Sequence, residues 1–317
     1  MSSLCAVSID LDAIECYYRI HGLGPAPAAL RHVIIERCVP RAAALFAAHG
    51  IAVTWFVVGQ DIDVSADPSA ATSAQIMTQR HLAGDELANH SHRHRYELAR
   101  LDAATIRDEI VQADTVLRRI TGQAVAGFRS PGYDVSATLF EVLAELGYQY
   151  DSSLFPAPGY YLAKAAVMAA LAALRRPSGA VLTNPRGLTA PIDPYRPSMQ
   201  APWRRGAAPF IEMPISVTPW ARLPAIGTSL LVAPASVRRY LLRAMAQREF
   251  FNFELHGIDF CDATDDQIPA ELVARQPDLR VPYAQKAERL SAMLQQIAST
   301  SRRVTLSRAA GLLQARW

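Results

Sequence analysis

Short apolar runs of strand length alternate with segments of helical periodicity along most of this chain. The runs at residues 4–11 and 51–58 are almost wholly apolar, as expected for parallel strands that are covered on both faces. Shorter runs predict further strands at 86–88, 124–128, 148–150, 210–215, 250–256 and 303–306. Strands that alternate with helices indicate an α/β fold built on a parallel sheet, either open or closed into a barrel.

The clearest helix is predicted over residues 101–122. Its apolar positions recur at helical spacing at Ile106, Ile110, Ala113, Leu117 and Ile120. Asp102 is a suitable residue to cap the start of this helix, and Gly122 lies just past its end. The same pattern predicts helices at 29–49, where Pro40 breaks the segment, and at 137–146, 160–176, 234–247 and 282–298, with a last helix at the end of the chain.

The alternation is interrupted between residues 155 and 206. This stretch holds an Ala-rich apolar helix, 160–176, followed by a loop dense in Pro and Arg. We predict one domain over 1–317, in which 155–206 is an insertion near the mouth of the fold. Two interpretations of the helix stay open. It either completes the core, or it meets a lipid tail or a membrane surface through peripheral contact, with anionic groups near Arg175, Arg176, Arg204 and Arg205.

The composition narrows the class of protein. Of the 317 residues, 50% are hydrophobic and 19% are charged, which is ordinary for a globular protein with a substantial core. The formal net charge of +3 comes from mixed signs without long basic runs, so nucleic acid is not expected as a partner. The four cysteines are scattered with no CxxC pair, which argues against a disulfide framework and against a cysteine-based zinc site.

The first residues and the longest apolar stretch predict a location. Residues 1–10 carry no positively charged region and reach Asp10 too early for a secretory signal. As a helix, the stretch 160–174 would span only about 22 Å, short of the roughly 30 Å hydrocarbon layer of a membrane. We therefore expect a cytoplasmic protein, peripheral to the inner membrane face if 160–176 binds lipid.

The densest chemical signal is a cluster of histidines directly after the strand-like segment 86–88. Its sequence is Asn-His-Ser-His-Arg-His, from residue 89 to residue 94. Neutral imidazole is the commonest metal-binding side chain, and His90 and His94 stand one helical turn apart, where both can reach one ion. The competing interpretation is a loop of solvated histidines.

A pair of carboxylates ends the first predicted strand. Asp10 and Asp12 are two residues apart, so they project to the same side of an extended chain. Two carboxylates in an apolar context repel each other and are costly to bury unless a cation or a division of roles uses them. A surface pair or a helix-capping pair is the alternative.

Two further segments complete a recognisable set of motifs. Residues 127–133 read Gly-Phe-Arg-Ser-Pro-Gly-Tyr, and residues 253–256 read Phe-Glu-Leu-His. With the acidic pair and the histidine cluster, their order resembles the polysaccharide deacetylase (NodB homology, carbohydrate esterase family 4-like) family. That family carries an acidic motif on its first strand, then H-[ST]-x-x-H, R-x-P-[YFG] and L-x-H. The resemblance covers roughly residues 5 to 260 and the terminal strand and helix, with Asp-x-Asp where many members have adjacent acids.

The resemblance implies a fold and a metal centre. The fold would be a distorted (β/α) barrel of about seven parallel strands. One divalent metal, zinc above all but with cobalt, iron or nickel also suited, would be held by Asp12, His90 and His94. Three protein ligands leave an open coordination position, which is typical of a catalytic metal site.

The resemblance also implies roles for the neighbouring residues. Asp10 would be the general base, oriented by Arg129, and His256 would protonate the departing amine. Pro131 and the backbone N–H around Tyr133 would hold substrate and the oxyanion. Three residues are expected to support these groups: Ser91 beside the ligands, and Asp151 or else Asp259 as the carboxylate that tunes His256.

These assignments predict a metal-dependent hydrolase that removes an N-acetyl group from an amino-sugar-containing substrate by means of metal-activated water. The substrate would be a small molecule or a lipid-linked amino sugar. Two alternatives keep the site and change the substrate: a deformylase of a lipid-linked amino sugar, and an amidase on a non-sugar amide. A third alternative is an inactive metal-binding module.

Overall fold

Eight strands and eleven helices alternate along the part of the chain that the computed structural model describes, residues 3–176 and 178–315. The strands are β1 (Ser3–Asp10), β2 (Val53–Val57), β3 (Glu86–Asn89), β4 (Gly127–Phe128), β5 (Tyr150–Asp151), β6 (Ile211–Glu212), β7 (Phe250–His256) and β8 (Ser301–Arg303). The helices are α1 (Ile14–Ile20), α2 (Val39–Ala48), α3 (Ala71–Leu82), α4 (Ala103–Thr121), α5 (Ala137–Glu145), α6 (Pro158–Ala173), α7 (Gly227–Val232), α8 (Ala235–Ala246), α9 (Ala270–Val273), α10 (Tyr283–Ala298) and α11 (Leu306–Gln314).

The strands form one parallel sheet in which β1 lies next to the edge strand β7. Seven of them lie in the order β6-β5-β4-β3-β2-β1-β7, and β8 pairs with the first residues of β1. The sheet curves into a half-barrel with helices against it, which confirms the predicted fold class. Both faces of the central strands are covered, and the strands are correspondingly apolar: every residue of β2 is buried.

One face of the β1–β7 pair changes from apolar to polar along the strands. In the register of this pair, Leu4 lies beside Phe250 and Asp10 lies beside His256. Leu4 and Phe250 pack in one buried cluster with four apolar residues from α11. Because side chains alternate between faces, the remaining even-numbered positions point the same way as Asp10. On this face, polar side chains therefore lie at the carboxyl ends of β1 and β7, and apolar side chains lie at their amino ends.

Several predicted helices are confirmed with their end signals. The Asp102 carboxylate accepts the Thr105 N–H at 3.0 Å at the start of α4, and Gly122 ends the helix in the left-handed region with φ +67°. Pro40 behaves differently from the prediction. It lies in the first turn of α2, where its missing N–H costs nothing, and the preceding Ile34–Cys38 form a π-helical turn.

The helix of the insertion is exposed along most of its length. Of the 16 residues in α6, only Leu171 is buried, so the interpretation that this helix completes the core is wrong. Leu162 and Leu174 are 66% and 69% exposed. None of the helices within 3–176 and 178–315 has the length and apolarity needed to cross a membrane.

Candidate active site

The residues singled out from the sequence meet at one edge of the half-barrel. Asp10 ends β1, His90 follows β3, Arg129 follows β4 and His256 ends β7. All these strands are parallel, so their carboxyl ends lie together, where α/β folds commonly bind ligands. They line or back a cavity of about 360 Å³.

Asp12, His90 and His94 bring three ligand atoms together. Oδ1 of Asp12 lies 3.2 Å from Nε2 of His90 and 3.0 Å from Nε2 of His94. All three side chains are buried, and their candidate ligand atoms lie within 4.8 Å of one another. The competing interpretation of solvated loop histidines does not fit this burial.

The loop that brings the two histidines together is not the predicted helical turn. Ser91 and His94 have positive φ angles of 63° and 51°, which fold the segment back on itself. The Ser91 hydroxyl accepts the His94 N–H at 3.1 Å, and the Ser91 N–H donates to Oδ1 of Asn89 at 2.8 Å. Ser91 thus supports the backbone of His94 and lies outside the ligand group itself.

The hydrogen bonds of both imidazole rings leave Nε2 available for a metal. Nδ1 of His90 donates to the Arg129 carbonyl oxygen at 2.8 Å, so the neutral ring has its lone pair on Nε2. Nδ1 of His94 contacts Sγ of Cys16 at 3.4 Å. Nε2 of His94 is buried without a well-oriented hydrogen-bond partner, although Asp12 is close. Two nitrogens and a carboxylate oxygen that face one point suit zinc, and also iron, cobalt or nickel.

Arg129 fixes the Asp10 carboxylate. This fully buried guanidinium donates from Nη1 to Oδ1 of Asp10 at 2.5 Å and from Nη2 to the Ser8 hydroxyl at 3.0 Å. Its plane stacks over Phe56, with Cζ 4.0 Å from the ring centre. Burial raises the pKa of Asp10 above its ordinary value, although Arg129 and His90 act to lower it.

The carboxylate beside His256 is Glu254, which sequence reasoning missed. Oε1 of Glu254 lies 3.0 Å from Nδ1 of His256 and accepts the Tyr133 hydroxyl at 3.1 Å. The same hydroxyl is 3.0 Å from Nε2 of His256. Burial alone would lower the pKa of His256, but the charge and hydrogen bond of Glu254 outweigh it and raise that pKa well above its ordinary value. The available signal was strand alternation, because residues 254 and 256 share one face of β7.

The two carboxylates predicted for this role lie elsewhere. Asp151 accepts the Ser153 N–H at 3.0 Å and the Ser153 hydroxyl at 2.7 Å, and so braces the turn after β5. The Asp259 carboxylate accepts the backbone N–H of His256 at 2.9 Å, and the Asp259 N–H in turn donates to the His256 side chain. Asp259 therefore caps the end of β7, and the carboxylate that contacts the imidazole ring is that of Glu254.

The predicted oxyanion donors also need correction. The Tyr133 N–H donates to the Ser130 carbonyl at 3.1 Å, and Pro131 is not among the residues that line the cavity. Tyr133 contributes its side chain to the cavity wall instead. Gly132 lines the cavity too, and its N–H has no acceptor within the described ranges. Its φ of +70°, with the Tyr96 ring 2.8 Å from where a Cβ would lie, explains the glycine.

The amino-acid sequence of this chain is similar to those of known deacetylases over part of its length. The family model for polysaccharide deacetylase matches residues 28–150. A peptidoglycan deacetylase from Helicobacter pylori is 26% identical over 153 residues, which are 48% of this chain and 49% of the relative. A chitin deacetylase from the genus Pestalotiopsis is 29% identical over 104 residues, 33% of each protein. The chain thus spans half or less of the curated relatives it matches.

A solved structure agrees with the fold over nearly the whole chain. This protein, from Mycobacterium smegmatis, is classed provisionally as a polysaccharide deacetylase. It superposes with a TM-score of 0.61 and covers 99% of this chain and 91% of its own, at 16% sequence identity. At that identity the likeness shows the half-barrel fold alone.

Proposed function

We propose that the chain is a member of the polysaccharide deacetylase family and a metal-dependent hydrolase that removes an N-acetyl group from an amino-sugar-containing substrate. The match of residues 28–150 to the family model and the similarity to two curated deacetylases support this proposal. The observation that carries the proposal is that Asp10 and His256 line one cavity together with Asp12 and His90, which form a buried group with His94. An acid, a base and a metal-binding group in one cavity are what the hydrolysis of an unactivated amide needs.

The ligand group sets where the amide carbonyl lies. A divalent metal held by Asp12, His90 and His94 would polarise that carbonyl and make a bound water more acidic. Asp10 then takes the proton of the attacking water, and Arg129 holds the carboxylate in place for this transfer. A raised pKa makes Asp10 a stronger proton acceptor than an ordinary aspartate.

His256 supplies the proton that the departing amine needs. Glu254 holds Nδ1, so Nε2 is the nitrogen free to donate toward the cavity. The Tyr133 hydroxyl lies 3.0 Å from this nitrogen. An amine leaves readily only when it is protonated, and the raised pKa of His256 favours the protonated ring that can supply this proton.

The test is acid release from acetylated and formylated amino sugars by the metal-loaded chain and by Asp10→Asn. We expect acetate from the wild type, and a loss of kcat of about 10²- to 10⁴-fold in the variant, because the base is removed while the ligand group stays. Metal content should be the same in both proteins. Formate release in place of acetate would favour the deformylase alternative.

An inactive metal-binding module would give a different result. It would hold about one metal per chain, release no acid from any amide, and show no effect of Asp10→Asn. An amidase on a non-sugar amide would be active only on the non-sugar members of the panel.

A further inference from the structure

One wall of the cavity is the inner face of α6. The residues that line it recur at helical spacing: Tyr160, Ala163, Lys164, Val167 and Met168. The rest of the lining includes further apolar residues, among them Ile20, Ile226, Ile258 and Pro277. Beyond the reacting groups, the cavity therefore offers hydrocarbon contact more than hydrogen bonding.

The same helix forms the rim of the cavity. Val167 lines the cavity and is nevertheless 52% exposed, so the wall ends at solvent there. Leu162 on the same helix and Leu174 just after its end are exposed as well. A cavity of about 360 Å³ has the size of one small ligand and not of a length of polymer. An apolar chain attached to such a ligand would extend out of the cavity along the apolar surface of α6.

Two cations face into this cavity from different elements. Lys164 lies on α6, and Arg275 lies in the segment after α9. Neither side chain forms an ion pair within residues 3–176 and 178–315. Burial lowers the pKa of Lys164 to about 8, since nearby Asp134 offsets the burial only in part. A cation placed in an apolar wall gains most from a ligand that brings the missing negative charge.

We propose that the substrate of this hydrolase is an amphiphile in which the acylated amino sugar is joined through a phosphate to a hydrocarbon chain. The amide lies at the Asp12, His90 and His94 group, the phosphate binds Lys164 and Arg275, and the chain runs along the inner face of α6. This inference rests on the proposed function and assigns that site its substrate class.

Binding of simple alkyl phosphates tests the recognition elements without any hydrolysis. The probes are octyl phosphate, butyl phosphate, inorganic phosphate and the uncharged octyl glucoside, titrated calorimetrically into the full chain. Octyl phosphate should bind at least about tenfold more tightly than either inorganic phosphate or octyl glucoside. Inorganic phosphate lacks the hydrocarbon chain, and octyl glucoside lacks the negative charge. Butyl phosphate should fall between inorganic and octyl phosphate. Equal affinity of octyl phosphate and inorganic phosphate would overturn the proposal.

Variants separate the contribution of charge from that of the apolar wall. Lys164→Met and Arg275→Met should each weaken octyl phosphate by about tenfold and leave octyl glucoside unchanged. Val167→Gln should weaken both octyl compounds. Leu162→Gln is the matched control, since Leu162 is exposed on the same helix but does not line the cavity, and it should bind like the wild type. If Val167→Gln and Leu162→Gln weaken the binding of octyl phosphate equally, the hydrocarbon chain does not run along the inner face of α6.

Hydrolysis then distinguishes failure of this inference from failure of the function. The pair to compare is N-acetylglucosaminyl octyl phosphate and a short chitin oligomer. A higher kcat/KM for the amphiphile supports the inference, and a higher value for the oligomer overturns it while the deacetylase function stands. Release of acid from neither compound, with octyl phosphate still bound tightly, would count against the function and leave the amphiphile site supported.

Discussion

Glu254 and His256 form the proposed acid side of the site because they lie two residues apart on one strand. Both side chains leave the same face of β7, and the Tyr133 hydroxyl contacts both of them. Burial acts to lower the pKa of His256, and the Glu254 carboxylate is the main group that raises it against this effect. Glu254 is therefore a positioning residue that also keeps the acid charged.

Replacement of Glu254 by glutamine should shift the pH profile. The pKa of His256 is raised in the wild type, so its proton is retained up to a pH well above the ordinary histidine value of about 6.5. In Glu254→Gln the burial effect dominates and the pKa falls, so the alkaline limb of kcat/KM moves to lower pH. At about pH 8 we expect a loss of at least about tenfold, and a smaller loss near pH 6.

Tyr133→Phe provides the control for this prediction. It removes a hydrogen bond to Glu254 but leaves the carboxylate, so its alkaline limb should move much less than that of Glu254→Gln. An alkaline limb that stays in place in Glu254→Gln would show that Glu254 does not set the charge of His256.

The sequence identified the reacting residues better than the residues that hold them. Asp10, Asp12, His90 and His256 all stand in motifs and line one cavity, and Arg129, from a further motif, donates a hydrogen bond to Asp10. The partner of His256 was missed because several acids follow strands in this chain. The order of the motifs does not indicate which of these acids contacts the imidazole ring of His256. The alternation of side chains along β7 favours Glu254, which lies 3.0 Å from Nδ1 of that ring.

At the level of elements, long amphipathic helices were predicted best. Helix α4 carries both a clear apolar stripe and recognisable end signals, and its ends agree with the prediction within two residues. Helix α3 was missed because it buries only Ser73 and Met77, which gives no stripe. Helix α6 is apolar around much of its surface, so its pattern could not distinguish a core helix from a cavity wall.

The cap of α4 offers a test of local stability. Asp102→Ala removes the acceptor for the Thr105 N–H and should lower the free energy of unfolding by about 1 kcal/mol. Asp102→Ser, which retains a capping oxygen, should recover most of the loss. Urea unfolding followed by circular dichroism measures both, and equal stability of wild type and Asp102→Ala would show that the cap contributes nothing.

At the scale of the whole molecule, the ligand group ties separate parts of the chain together. Asp12 follows β1, whereas His90 and His94 follow β3, so a metal bound by all three would bind the folded chain far better than the unfolded one. Adding zinc to metal-stripped protein should therefore raise the melting temperature. At a free concentration about 100 times Kd, the stabilisation would be about 2.7 kcal/mol.

His94→Ala is the matched variant for the metal titration. It loses one of three ligands, and we expect its melting temperature to respond weakly to zinc. A calorimetric scan with and without chelator provides the measurement. If wild type and His94→Ala respond equally, the metal binds outside this group.

The pairing of β1 with β7 has a consequence for when activity can appear during synthesis. Asp10 is made about 240 residues before the strand partner that places His256 beside it. Until that partner is made, β1 lacks one neighbour and the proposed proton donor is absent. At roughly 5–20 residues per second, the nascent chain spends on the order of ten seconds or more between the two strands without a complete site. The proposed site is therefore complete only once β7 has been made, and a chain that stops before β7 has the proposed base and ligands but no acid.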